Sequence, residues 1–187
     1  MSTILCFSSV EELDVAFKDG ISVVFVKPGA YLRNRLILDH ATRRSTIRIA
    51  TTLEEMKHSN GSLGMDLLEE QKVTLIHELI HLFISFRLKD CYLSYQYHEF
   101  NMKMKDFELA IDTHAYAIVR FQPNLLEDIV CQLTLSQKCT IEYEVEQTPF
   151  RRFHLSIIHD KILGNLRFGD PRQIEILNLI RPRQLNY

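Results

Sequence analysis

The chain has 187 residues, 46% hydrophobic and 25% charged, the profile of an ordinary folded protein with room for one domain and a real core but not for two. Its 22 Lys and Arg stand against 24 Asp and Glu, a net charge of −2, which argues against a broad nucleic-acid-binding surface. The opening residues lack a basic stretch followed by an apolar one, and no run reaches the ~18 apolar residues of a membrane span, so a cytoplasmic protein with no membrane contact is expected.

In chain order, the first helix is expected to start at Ser9, because Ser9 and Glu12 have the spacing of a capping box, and to end before Gly20. Residues 21–26 (ISVVFV) are β-branched and aromatic and stop at Pro28-Gly29, which reads as a strand. Residues 31–40 fit either a strand or a helix, and residues 46–51 alternate as a second strand. Residues 58–64 (HSNGSLG) have a loop composition. From about 66 to 89 neither Pro nor Gly interrupts a run rich in Leu, Ile, Glu and Lys, which predicts a long helix that is deeply buried in its second half.

A further helix is expected over 103–121, stopped by Pro123, with Asn124 capping the next one. Residues 140–146 alternate strictly, as a half-exposed strand should, and two short helices are expected to finish the chain. These elements add up to a helix-dominated α+β single domain with a small N-terminal sheet. Cys6, Cys91, Cys131 and Cys139 are scattered without a CxxC pair and read as reduced thiols. The cluster Arg151, Arg152, Arg167, Arg172, Arg181 and Arg183 reads as a solvated face.

Chemistry concentrates in His77-Glu78-Leu79-Ile80-His81. On a helix, residues four apart share a face, so His77 and His81 can offer both imidazoles to one metal ion. Glu78 is then placed to act as general base on a water bound at the open position of the metal. Histidines inside the apolar run from Thr74 to Ile84 would otherwise be buried polar groups in need of partners, and a metal supplies one. Two imidazoles and a carboxylate suit Zn2+, one ion per chain.

A third ligand must come from elsewhere in the chain. Glu108 and Asp112 are again four apart, on the following helix beside the apolar stripe of Phe107, Ile111, Ala115 and Ile118. In this arrangement Glu108 binds the metal and Asp112 accepts a hydrogen bond from a ligand histidine. Asp112 is the next candidate ligand, with His98 or His114 behind it. Tyr92, Tyr95, Tyr97 and His98 form an aromatic connection that reads as packing on the core, and His40, His58, His154 and His159 receive no role.

With these residues in place, the stretch from Gln71 to Phe83 resembles the active-site helix of the ImmA/IrrE-like zinc metallopeptidases, an HExxH group of gluzincin type. The stretch from Glu108 to Ala117, followed by Phe121-Gln122-Pro123, resembles that group's second motif. The chain departs from the group at Ile80, where a small residue is usual. The resemblance implies a minimal zincin-like fold, with a core at about 46–123 and a C-terminal extension over 124–187. It also implies limited proteolysis of a specific intracellular protein, such as a DNA-binding repressor. The alternative from another class is a non-catalytic zinc-containing module that sequesters a partner protein. The acid Glu78 favours the enzyme, because a purely structural site has no use for it.

Overall fold

Two runs of β-branched and aromatic residues, β1 (Ile21–Val26) and β3 (Ser45–Ala50), pair in parallel at the centre of a four-stranded sheet. The structure is a computed structural model and describes residues 6–27, 35–39, 44–53, 65–89 and 93–144. Flanking the central pair are β2 (Arg35–Leu38), antiparallel to β3, and β4 (Cys139–Tyr143), parallel to β1, which gives the order β2-β3-β1-β4. The ambiguous stretch at 31–40 thus contains a strand where it is described. The sheet is mixed, and it is not confined to the N-terminal part of the chain. Residues 139–143 return after all the described helices to complete its far edge, a long-range pairing that no local pattern specifies.

Gly20 seats β1 between its neighbours. Its φ of 96° lies in the left-handed region, its carbonyl accepts the Ser45 amide, and the next amide, of Ile21, bonds to the Lys138 carbonyl. A side chain here would be strained by the backbone conformation and would meet Arg44 Nε and the Lys138 carbonyl oxygen at 3.4 Å.

One face of the sheet carries Ile21, Val23, Phe25, Ile47 and Ile49, all buried. Against it lies α2 (Leu67–Arg87), opened by Asp66, whose carboxylate accepts the Glu69 amide at 2.8 Å. Every residue of α2 from Val73 to Ser85 except His77 is buried, because the helix has the sheet on one side and α4 (Met104–Phe121) on another. Leu75, Ile76, Leu79 and Ile80 are fully enclosed, each contributing roughly 1.5–3 kcal/mol of transfer free energy.

The remaining elements correct several boundaries. Helix α1 (Val10–Asp14) is short, and Glu12 reaches back to the Ser8 amide at 2.6 Å, one residue earlier than a Ser9–Glu12 box requires; Ser9 makes no side-chain cap. A 3-10 turn (Leu93–Tyr95) leads into α3 (Gln96–Glu99). Helix α5 (Pro123–Leu135) opens with its proline in the first turn and Gln122 as N-cap residue, so Asn124 lies inside the helix and does not cap it.

Among the described residues the buried hydrophobic core runs from Phe7 to Leu133 and includes Leu13, Phe17, Leu126, Ile129 and Val130. Cys6, Cys131 and Cys139 are free thiols, and burial pushes Cys6 up to about 12 and Cys139 up to about 11. Among the described residues no helix is long and apolar enough to cross a membrane. Cys91, the loop at 58–64, the two C-terminal helices and the arginine cluster lie outside the described residues.

Candidate metal centre

The centre is built on the seam between α2 and α4, which run antiparallel. Glu69 pairs with Arg120 at 3.1 Å, His77 with Asp112 at 2.6 Å, and His81 with Glu108 at 3.3 Å. Eight residues along α2 from Glu69 to His77 are matched by eight from Arg120 back to Asp112, and the next four on each helix lead to His81 and Glu108. The spacings agree because both helices repeat near four residues and face each other along one stripe. The amphipathic face of α4 holds this register by burying Phe107, Ile111, Ala115 and Ile118.

At the end of the seam three ligand atoms converge. His77 Nε2 and His81 Nε2 are 3.1 Å apart, and Glu108 Oε2 lies 3.4 Å from the first and 3.3 Å from the second. Tetrahedral coordination with metal–nitrogen bonds of about 2.0–2.1 Å sets the ligand atoms about 3.3–3.4 Å apart, so the triad has the dimensions of one face of such a site. The donor set of two imidazoles and a carboxylate also fits a divalent metal. The His77 and His81 side chains are 12% and 9% exposed, whereas that of Glu108 is 44% exposed, so solvent reaches the triad from the α4 side.

Each imidazole is held from behind. Nδ1–H of His77 donates to Asp112 Oδ1, and Nδ1 of His81 lies 2.9 Å from the side-chain oxygen of Gln96, which is fully buried. Gln96 also donates to the His81 backbone carbonyl at 3.0 Å. Burial opposes a charge on His77, but the hydrogen bonds it donates to Asp112 and Glu108, with nearby Glu78, raise its pKa to about 10 in the metal-free protein. Burial acts to raise the Glu108 pKa as well, and there the two histidines prevail and hold it down at about 2.

Glu78 follows His77 on α2 and turns toward the edge strand β2. The Asp39 amide bonds to the Arg44 carbonyl, so by alternation the Leu36 amide points away from β3, and it meets the Glu78 carboxylate. Burial pushes the Glu78 carboxyl above its ordinary value, against the pull of His77, His81 and this amide.

The structure therefore brings His77, His81 and Glu108 together and places Asp112 behind His77. His98 and His114 are exposed and lie outside the converging group. His98 instead packs tilted against Tyr97 with ring centroids 4.1 Å apart, and Tyr95 remains 56% exposed, so the aromatic connection is only partly packed on the core. Tyr92, His40, His58, His154 and His159 lie outside the described residues. The residue that sequence reasoning misses is Gln96: a lone glutamine among aromatic residues carries no periodic or motif signal. Compared with known proteins, the chain matches no family model, no curated protein and no solved structure.

Proposed function

We propose that the chain is a zinc-dependent endopeptidase in which His77, His81 and Glu108 hold the ion and Glu78 is the general base. The observation that carries this reading is the convergence of the three ligand atoms at 3.1–3.4 Å beside a buried carboxylate. Zinc, when bound there, supplies Lewis acidity that polarises a carbonyl and makes a water acidic enough to attack near neutral pH. Glu78 takes the proton from the attacking water and returns it to the leaving amine, and a carboxyl raised by burial is suited to both halves of that transfer. Asp112 keeps the His77 ring oriented.

The protein substrate, by the resemblance of the two motifs to ImmA/IrrE-like metallopeptidases, is a specific intracellular partner such as a DNA-binding repressor, and the fold is then a minimal zincin-like domain. The test uses zinc-loaded wild type and Glu78→Gln on a degenerate peptide library read by mass spectrometry. Wild type is expected to cut. The variant is expected to keep one zinc per chain and to cut at least about 10²-fold more slowly. A zinc-loaded wild type that cuts nothing, or a variant that cuts equally well, favours the non-catalytic module instead.

A further inference from the structure

We infer that Gln96 is a positioning residue that selects the metal-ligating tautomer of His81, an inference that rests on reading the triad as a metal site. Gln96 grips His81 at two points, its ring and its backbone carbonyl. That carbonyl lies inside α2 and, like every peptide carbonyl, has no proton to give. The Gln96 amide must therefore turn its NH2 group toward it. Its oxygen then faces His81 Nδ1, and an amide oxygen only accepts, so Nδ1 carries the proton. A neutral imidazole has a single N–H. Nε2 is left with its lone pair, directed at the point shared with His77 Nε2 and Glu108 Oε2.

The reverse orientation of the amide would set two carbonyl oxygens against each other at 3.0 Å and a donor against Nδ1, which would then hold the lone pair and leave Nε2 blocked by a proton. The backbone of α2 thus dictates the orientation of Gln96, and Gln96 dictates the tautomer of His81.

The grip is stiff because of how α3 is built. The segment is closed by Asn101 at a φ of 53°, with the Asn101 amide on the His98 carbonyl and the Met102 amide on the Tyr97 carbonyl, both at 3.0 Å. Phe100 stacks on Phe107 of α4 with ring centroids 5.6 Å apart, next to Glu108. A four-residue helix with no lasting stability of its own is held against both helices that carry the ligands. Asp112 does the same for His77 with a charged acceptor, whereas Gln96 does it for His81 with a neutral one and adds no further charge to a buried position.

The experiment is long-range proton–nitrogen correlation NMR on the metal-free full chain in mildly alkaline buffer, with zinc affinity measured by chelator competition. His81 of the wild type is expected to be protonated on Nδ1. Gln96→Met, which keeps the shape and removes both hydrogen bonds, is expected to lose that preference and to bind zinc about 10–100-fold more weakly. A wild-type His81 protonated on Nε2 overturns the inference without recourse to any variant. So does a folded Gln96→Met protein that binds zinc as tightly as wild type. Should wild type bind no zinc while His81 still loses its Nδ1 proton preference in the variant, the metal reading fails and the tautomer selection stands.

Discussion

The two ends of the α2–α4 seam use the same spacing and do different work. At one end Arg120 and Glu69 form an ion pair with side chains 42% and 26% exposed, and the guanidinium also lies over the Tyr116 ring. At the other, His77 and His81 are nearly enclosed, each held by an acceptor behind it and facing Glu108 in front. Register is common to both ends; burial is not. In water the ion pair gains little, because both partners are already solvated and their long side chains must be ordered. Inside, a polar group without a partner is costly, so each imidazole must be satisfied on both nitrogens, and a metal ion held by the triad would satisfy the two inner ones at once.

That contrast is open to direct attack, and the largest effect is expected at the buried end. His81→Ala removes one of the three proposed ligands and is expected to abolish stoichiometric zinc, measured by elemental analysis of protein purified without chelator beside the wild type. One zinc per chain in the variant would mean that the ion binds elsewhere.

An intermediate effect is expected from pH in the metal-free protein. The His77 pKa is raised from 6.5 to about 10, so its contribution to stability is complete below 6.5 and is lost as pH rises through about 10. The Glu108 pKa is lowered from 4.5 to about 2, so its contribution is complete above 4.5 and is lost as pH falls through about 2. Stability from these two groups is therefore greatest between 4.5 and 6.5. Denaturant titrations at stepped pH are expected to show an alkaline decline that disappears in His77→Gln; a decline that persists in this variant has another origin.

The smallest effect belongs to the exposed end. Arg120→Ala is expected to cost about 0–1 kcal/mol, less in high salt, and to leave zinc affinity unchanged. A tenfold loss of zinc affinity in that variant would show that the register of the whole seam depends on its exposed rung.

Much of the scaffold was legible because its signals are local. The uninterrupted apolar run around His77 and His81 marked α2 as long and buried, and the stripe of Phe107, Ile111, Ala115 and Ile118 marked the inner face of α4. Caps were read less well. Glu12 bonds to Ser8, and a proline in the first turn left Asn124 inside α5, shifts of one or two residues that side-chain geometry decides. The position of β4 beside β1 was not legible at all, since an alternating strand specifies which face is buried and not which neighbour it joins.

Helical periodicity alone placed His77 and His81 on one face and Glu108 and Asp112 on another, because residues four apart on a helix must lie one above the other. It could not say that these two faces meet, and it left Asp112 open as an alternative to Glu108 in front of the imidazoles. That is decided by the antiparallel docking of α2 on α4, which sets Glu108 against both Nε2 atoms and Asp112 against Nδ1 of His77. Gln96 belongs wholly to the tertiary structure. Its role exists only because a short helix between the two long ones brings an amide to both the ring and the carbonyl of His81, a juxtaposition created by packing with no counterpart in residue spacing.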